Sequence, residues 1–204
     1  MNSTLCDENK IFPFLIIDDF YDSQEEKQIW TELELLHPLL KDEDGKTGNI
    51  AVDLDGNKKG ETSRLYLDVF YKDNREQSSI LNLYKKIISE DVINLYSPIP
   101  SWVTFKASNN DTSQISYYEN KGYYGEHFDL YMHTCLIWFF QEPKKFQGGD
   151  LKFTQSSTLV ECKHNRMILF PSYYMHEVVN INMKKNHTNK GLGRYCLTHF
   201  YNKK

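Results

Sequence analysis

The stretch "QISYYENKGYYGEHFDLYMHTCLIWFFQ", residues 114–141, contains three short apolar runs separated by turn-forming residues. The runs, at 114–118, 123–129 and 134–141, are rich in aromatic and β-branched side chains, which favour strands. The intervals between them are too short for the helical crossovers that a parallel sheet needs. This stretch therefore predicts consecutive antiparallel strands.

The same pattern continues towards the C-terminus. Short apolar runs alternate there with Gly, Asn, Lys and Pro turns in five more segments, namely "DLKF", "TLVEC", "RMILF", "HEVVNI" and "RYCLTHFY". Eight short strands at even spacing are typical of a double-stranded β-helix, or jelly roll. We therefore expect a jelly roll of eight core antiparallel strands.

The N-terminal half is organised differently. "SQEEKQIWTELELLHPLL", residues 23–40, has apolar residues at helical spacing, a Ser23/Glu26 capping box at its start and Pro38 as its stop. Residues 77–96 carry a second helical pattern, and the sequence "RLYLDVFY" from 64 to 71 alternates like a strand.

Residues 41–63 are polar and rich in Gly, Asp and Lys, and they predict a mobile loop. The fold class is accordingly mainly β with N-terminal α-helices (α+β). Because no linker composition interrupts the chain, we expect one domain over 1–204. Its helical support would span about 11–100 and its jelly-roll core about 102–201.

Composition excludes several classes of protein. The chain has 204 residues, a net charge of −4 and a pI of about 6, so no general positive field attracts nucleic acid or anionic membranes. Its early apolar run, 12–17, is too short for a secretion signal or a membrane span, and we expect a cytoplasmic protein. The four cysteines are too widely spaced to indicate a metal or redox motif.

A candidate metal site begins at His127 and Asp129. Residues i and i+2 of a strand share one face, so this imidazole and carboxylate lie side by side. His-x-Asp arises readily by chance, however, and the assignment depends on a third ligand. His176 opens another predicted strand directly after a Pro-containing turn. Two His and one carboxylate are the set that holds non-haem Fe(II), although a zinc hydrolase could use the same atoms.

The last predicted strand supplies a candidate for a second binding group. It begins with Arg194, and alternation places Cys196, Thr198 and Phe200 on the same face. A guanidinium with a hydroxyl four residues on is suited to a bidentate grip on a carboxylate. A dicarboxylate with one end on the metal would fit this arrangement. A non-catalytic cupin-type jelly-roll binding module is the alternative from another class.

With these residues in place, the sequence resembles the Fe(II)- and 2-oxoglutarate-dependent dioxygenases, and within them the prolyl 4-hydroxylase-like branch. The resemblance covers roughly residues 11–201. It is carried by Y…G…Y-x-x-H-x-D within "YYENKGYYGEHFD", by "FQGGDLKF" and by "IIDDFYDSQEE". It implies that iron binds to His127, Asp129 and His176. It also implies that 2-oxoglutarate binds to Arg194, Thr198 and Tyr118, and that Tyr124 lines the substrate side.

The resemblance further implies the reaction. The enzyme would hydroxylate a C–H bond, most simply of a prolyl residue in a peptide or protein, with a small molecule as the other substrate class. Dioxygen and 2-oxoglutarate would be cosubstrates, succinate and CO2 products, and ascorbate a further candidate cofactor. Nucleic acid is disfavoured as a substrate, because Phe200 stands where the branch that repairs alkylated nucleic acid has a second Arg.

One departure from the family pattern affects the expected substrate. His176 and Arg194 lie farther apart than is usual, because residues 182–193, "NMKKNHTNKGLG", are inserted between their strands. We expect this insertion near the mouth of the site. A further histidine, His133, is expected to have no ligand role, because an unbroken strand would be needed to bring it to the face of Asp129.

Overall fold

The computed structural model describes residues 2–6, 11–42 and 50–204. Its helices are α1 (Ser23–Leu36), α2 (Leu67–Tyr71), α3 (Ser79–Leu83), α4 (Glu90–Tyr96) and α5 (Trp102–Lys106). Its strands are β1 (Asn2–Cys6), β2 (Phe14–Asp18), β3 (Lys41–Asp42), β4 (Gly60–Glu61), β5 (Ser63–Tyr66), β6 (Asn110–Tyr118), β7 (Tyr123–His127), β8 (His133–Phe139), β9 (Phe146–Gln147), β10 (Leu151–Phe153), β11 (Thr158–Val160), β12 (Met167–Pro171), β13 (His176–Val178), β14 (Asn182–Met183) and β15 (Arg194–Asn202).

The strands form two facing sheets and a small two-stranded ribbon. The large sheet has the order β1-β2-β12-β8-β15-β6-β5-β3, and the smaller sheet has the order β11-β10-β13-β7-β4. The ribbon pairs β14 with β9. The eight predicted core strands are all present, with β12, β8, β15 and β6 in one sheet and β11, β10, β13 and β7 in the other. The jelly-roll prediction is confirmed.

Alternation along the strands builds two cores, one on each side of the large sheet. In β8, Ile137 and Phe139 face one way and Leu136 and Trp138 the other. Trp138 belongs to the core between the sheets, which is rich in Phe. The opposite face packs against the N-terminal helices, and its core includes Ile29 of α1. The helices therefore support the sheet from outside, as expected for an amphipathic helix on a half-buried sheet.

The first helix begins as predicted, but its cap lies one residue earlier. The side chain of Asp22 accepts hydrogen bonds from the backbone N–H groups of Gln24 and Glu25, both at 2.9 Å. The Glu25 carboxylate accepts from the Asp22 N–H at 2.8 Å. The capping box is thus Asp22/Glu25, and the Ser23/Glu26 prediction was wrong by one position.

Two other predictions in the N-terminal half were wrong in extent. The strand predicted over 64–71 ends at Tyr66, and α2 begins at the next residue, Leu67. The carboxylate of Asp68 in α2 accepts from the Ser113 N–H at 2.6 Å. The helix predicted over 77–96 is two helices, because Ser78 and Ser89 each cap a new start.

The boundary of the jelly roll was also placed too early. A core beginning at about 102 was predicted, but α5 occupies Trp102–Lys106 and the first core strand, β6, starts at Asn110. In this region, side-chain hydroxyls compete with backbone N–H groups for backbone carbonyls. For example, the Thr104 Oγ1 donates to the Ser101 carbonyl at 2.7 Å.

The predicted loop at 41–63 contains more pairing than expected. Residues 43–49 lie outside the described residues. Of the remainder, β4 pairs with β7 and an isolated bridge joins Val52 to Lys58. A Cβ on Gly60 would lie 2.8 Å from Cδ2 of Tyr124, so only glycine permits this close approach.

No helix in the described chain is long and apolar enough to cross a membrane.

Candidate metal centre and its cavity

The sheet topology brings the three predicted metal ligands together. His127 ends β7, His176 begins β13, and the two residues are paired across these neighbouring antiparallel strands. Asp129 follows β7 by two residues. Its carboxylate oxygens lie 3.6 Å from Nε2 of His127 and 3.6 Å from Nε2 of His176. All three ligating atoms lie within 4.8 Å of one another.

Backbone carbonyls orient both imidazoles. Nδ1 of His127 donates to the carbonyl of Gly125 at 2.8 Å, and Nδ1 of His176 donates to that of Tyr174 at 2.8 Å. Each Nε2 is therefore left with its lone pair towards the cluster. Burial, together with the neighbouring His176, lowers the pKa of His127 well below its usual value. The neutral form, which binds metals, is thereby favoured.

A hydroxyl network fixes the carboxylate of Asp129. Oγ1 of Thr134 donates to Oδ2 of Asp129 at 2.6 Å and lies 2.8 Å from Oγ of Ser172. The Asp129 N–H also donates to the Ser172 carbonyl at 2.9 Å. Sequence reasoning missed Thr134 and Ser172, because they come from β8 and from the segment after β12 and share no spacing with the ligands. Such contacts orient metal ligands and raise metal affinity.

The donor set fits a divalent first-row metal. Two imidazole nitrogens and one carboxylate oxygen, with no thiolate, form the facial set used by non-haem Fe(II), which leaves three coordination positions for other ligands. Among the described residues, this is the one cluster of His, Cys, Asp and Glu side chains close enough to hold an ion. His133 lies outside this cluster. It is buried beside the rings of Tyr96 and Phe105.

The cluster opens into a cavity of about 500 Å³ between the two sheets. Arg194 lines this cavity and is fully buried. Its guanidinium lies over the rings of Tyr118, at 4.8 Å, and Trp138, at 5.0 Å. None of its three nitrogens has a hydrogen-bond partner in the described part of the chain. A buried cation without a counter-ion is costly, so the residues present fit an anionic ligand such as a carboxylate.

The other residues predicted for this ligand lie beside Arg194. In the register of the large sheet, Arg194 is opposite Tyr118, and Thr198 lies four residues farther along the same face of β15. Both Tyr118 and Thr198 line the cavity, as does Cys196 between Arg194 and Thr198. The structure therefore brings the two groups of residues predicted from the sequence into the lining of a single cavity.

Tyr124 also lines the cavity, where its ring centroid is 3.8 Å from that of His127. Its hydroxyl accepts from the Ala51 N–H at 2.9 Å. Sequence reasoning missed Arg64 of β5, a second buried arginine in the lining, whose guanidinium carbon lies 4.7 Å from the Tyr124 ring centroid. The alternation of Arg64 with Tyr66 on a strand was the signal that could have found it.

The insertion at 182–193 does not line the cavity, so its predicted position near the mouth was wrong. Its start forms β14, which pairs with β9, and the Met183 N–H donates to Oδ1 of Asn120 at 2.9 Å. These contacts hold the insertion against the segment before β7. The mouth is instead flanked by the exposed side chains of Phe128 and Leu130, which follow His127.

The fold and site define a jelly-roll protein with a two-histidine, one-carboxylate centre. Residues 113–202 match the family described as the 2OG-Fe(II) oxygenase superfamily. The match covers 90 of the 204 residues and includes His127, Asp129, His176 and Arg194. No curated protein matches the sequence at a significant level.

Solved structures of low sequence identity share the fold. A prolyl-4-hydroxylase from Pseudomonas putida is 14% identical, with a TM-score of 0.59 and coverage of 97% of this chain and 96% of that one. A Trichoplax adhaerens prolyl hydroxylase, solved with a hypoxia inducible factor oxygen degradation domain peptide fragment, is 15% identical, with a TM-score of 0.62 and coverage of 92% and 82%. A Burkholderia pseudomallei oxidoreductase of the 2OG-Fe(II) oxygenase family is 16% identical, with a TM-score of 0.58 and coverage of 93% and 84%.

Proposed function

We propose that this protein is a 2-oxoglutarate-dependent iron dioxygenase that binds Fe(II) through His127, Asp129 and His176 and hydroxylates a C–H bond in a peptide or protein. The observation that carries the proposal is the position of Arg194. Its buried and unpartnered guanidinium faces the same cavity as the metal cluster. A ligand with a carboxylate at Arg194 and a second chelating end at the cluster has the chemistry of 2-oxoglutarate.

The bound metal and cosubstrate supply oxidising power for hydroxylation, with succinate and CO2 as products. The chain's own residues position the metal and the cosubstrate and shield them from water. Arg194 grips the distal carboxylate of 2-oxoglutarate, and the hydroxyls of Thr198 and Tyr118 add hydrogen bonds to it. The carbonyls of Gly125 and Tyr174 hold the ligand imidazoles in the required tautomer.

The cavity mouth supports a peptide substrate. Phe128 is 52% exposed and Leu130 is 84% exposed, and both border the cavity next to the metal ligands. Apolar side chains at a mouth suit a ligand that brings its own apolar groups. The Trichoplax neighbour was solved with a bound peptide fragment. We infer a prolyl residue as the first substrate to test and a small molecule as the second.

The alternatives left open by the sequence are less well supported. A zinc hydrolase needs a general base besides its metal ligands, but Asp129 is the one carboxylate among the described residues that line the cavity. A non-catalytic binding module has no use for an open two-histidine, one-carboxylate centre beside a buried cation.

We also infer that the helices and the jelly roll form one domain, because they share the core on the outer face of the large sheet.

The proposal is tested by supplying purified protein with Fe(II), 2-oxoglutarate, air and proline-containing peptides. Mass spectrometry should detect a peptide gaining one oxygen atom, with one succinate formed for each oxygen inserted. Asp129→Ala should abolish both signals, whereas Asp150→Asn, outside the cavity lining, serves as the matched control. Coupled turnover by the Asp129→Ala variant would contradict the assignment of the metal ligands. Hydrolysis of a substrate with zinc, independent of 2-oxoglutarate, would favour the hydrolase.

A further inference from the structure

Gln114 of β6 is a polar residue of the cavity to which the proposed chemistry gives no role. It lines the same cavity as the metal cluster and is 6% exposed. Its Oε1 has no hydrogen-bond partner in the described part of the chain. Burying an amide oxygen without a partner costs about as much free energy as losing a hydrogen bond, and native proteins rarely do so. The missing donor must therefore come from a molecule that enters the cavity.

The sheet register separates Gln114 from Arg194. Gln114 and Tyr118 lie four residues apart on the same face of β6, or about 13 Å along the strand. Arg194 is opposite Tyr118, whereas Gln114 is opposite Thr198. A carboxylate held at Arg194 is thus at the other end of this strand face from Gln114.

An aromatic pair lies between Gln114 and the cavity mouth. Phe200 is opposite Thr112, the neighbour of Gln114 on the same face of β6. Its ring stacks on that of Tyr131 at a centroid distance of 4.4 Å, and both rings line the cavity. Tyr131 follows Leu130, whose exposed side chain flanks the mouth. Gln114 is therefore on the side from which the primary substrate enters.

The chemistry of the carboxamide distinguishes the primary substrate from the cosubstrate. Ionised 2-oxoglutarate carries hydrogen-bond acceptors and no donor, so it cannot satisfy the oxygen of Gln114. A peptide, by contrast, brings one N–H for every residue other than proline. The Gln carboxamide has an acceptor oxygen and two donor hydrogens, which complement the N–H and C=O of a peptide group. Its terminal torsion is broad, so rotation can turn either amide atom towards a ligand.

We infer that the carboxamide of Gln114 binds a backbone peptide group of the primary substrate, and that its oxygen accepts the N–H of a residue close to the one that is hydroxylated. This inference rests on the proposed function and deepens it by naming a specificity-determining residue. A prolyl residue has no N–H of its own, so a neighbouring residue supplies the donor for a prolyl target. Gln114 thereby sets which residue of the peptide lies at the metal centre.

The test uses the full chain, loaded with Fe(II) and 2-oxoglutarate without oxygen, and a parent peptide that the wild-type protein hydroxylates in air. The other probes are esters of this parent, in each of which one backbone N–H near the hydroxylated residue is replaced by an ester oxygen. Each replacement removes a single donor and changes the shape of the peptide little. Isothermal titration calorimetry measures the dissociation constant of every probe.

One ester should bind the wild-type protein about tenfold more weakly than the parent, because a hydrogen bond between buried neutral groups is lost. Gln114→Met keeps the length of the side chain but removes the acceptor, and it should bind the parent and that ester equally weakly. Gln147→Met makes the same exchange at an exposed residue outside the cavity lining and should behave like the wild-type protein. Without ligands, Gln114→Met should melt at or above the wild-type temperature, since an apolar group replaces a buried unpartnered oxygen.

Failure of this inference can be distinguished from failure of the proposed function. If the wild-type protein hydroxylates no peptide, the proposed function fails and the inference fails with it. If a peptide is hydroxylated but no ester binds more weakly than the parent, or Gln114→Met still discriminates against the same ester, the inference alone is overturned.

Two further measurements exclude other roles for Gln114. A large fall in the melting temperature of ligand-free Gln114→Met would overturn the inference in favour of a structural role. Visible charge-transfer absorption of the Fe(II) and 2-oxoglutarate complex should require the same 2-oxoglutarate concentration in Gln114→Met as in the wild-type protein. A markedly higher requirement would place Gln114 in the cosubstrate site and would also overturn the inference.

Discussion

His127 and His176 lie directly opposite each other on β7 and β13, with their ring centroids 4.3 Å apart. Residues far apart in sequence are thus fixed by one antiparallel pair of strands. Because strand register sets this distance, the smaller sheet positions the two imidazoles of the proposed metal centre.

Arg194→Met tests the unpartnered guanidinium. Without 2-oxoglutarate, removal of a buried charge that has no counter-ion should leave the melting temperature unchanged or raise it. With 2-oxoglutarate, the wild-type protein should melt higher through ligand binding, and the variant should lose this increase. Differential scanning calorimetry measures both effects.

Arg166→Met is the matched comparison. Arg166 is also buried, but its guanidinium pairs with both carboxylate oxygens of Asp18, at 2.5 and 2.9 Å. Its loss should lower the melting temperature with or without 2-oxoglutarate. A strong destabilisation by Arg194→Met in the absence of ligand would show that Arg194 has a structural role instead.

Thr134→Val tests the hydroxyl that holds Asp129. The substitution conserves volume closely but removes the donor to Oδ2, and we expect metal affinity to fall by about 10- to 100-fold. Titration of the protein with Fe(II) under anaerobic conditions measures this change. Ser113→Ala removes another buried hydroxyl, which bonds to His199 at 2.8 Å away from the cluster, and should leave the affinity unchanged. Equal effects of the two substitutions would argue against a specific role for Thr134.

Buried histidines predict that the metal-free protein loses stability in acid. Burial lowers the pKa of His133 to about 4 and that of His199 to about 3. In the unfolded chain these histidines have a pKa of about 6.5. Below that pH the unfolded chain binds protons at these side chains and the native protein does not, so the free energy of unfolding falls as pH falls. Each such group contributes up to about 1.4 kcal/mol per pH unit.

His133→Phe isolates one of these contributions. The new ring would pack beside Tyr96 and Phe105, as the imidazole does. Between about pH 6.5 and about pH 4, the variant should lose up to about 3 kcal/mol less stability than the wild-type protein. Urea unfolding across this range provides the measurement, and identical pH dependence in both proteins would contradict the assignment.

The basic insertion provides a negative prediction. Lys184, Lys185 and Lys190 lie outside the cavity lining, and their combined replacement by Gln should leave the dependence of succinate formation on 2-oxoglutarate unchanged. Steady-state kinetics over a range of 2-oxoglutarate concentrations measures this dependence. A markedly higher requirement in the triple variant would show that the insertion steers the cosubstrate electrostatically.

The jelly roll could be predicted from sequence because its strands alternate and its turns are short. The grouping of the proposed metal ligands could also be predicted, since His127 and His176 lie on neighbouring strands, although Asp129 lies two residues beyond the end of β7. The N-terminal half was less predictable. Ser78 and Ser89 divide one apolar helical pattern into two helices, and local capping of this kind competes with periodicity.

Part of the site could not be predicted for a different reason. Thr134 reaches Asp129, and Arg64 reaches the cavity, from strands whose neighbours are set by tertiary pairing, with no short-range motif. A single sequence shows which face each occupies on its strand but not which cavity that face meets. Their contacts with Asp129 and Tyr124 emerge only from the assembled sheets.

We propose above that His127, Asp129 and His176 hold Fe(II) while Arg194 holds 2-oxoglutarate. Anaerobic titration of the metal-loaded protein with 2-oxoglutarate, followed by visible absorption, tests it most directly. We expect a saturable charge-transfer band in the wild-type protein, no band in His176→Ala, and a band in Arg194→Met that needs at least about 30-fold more 2-oxoglutarate. A band of wild-type strength in His176→Ala, or an unchanged 2-oxoglutarate requirement in Arg194→Met, would contradict it.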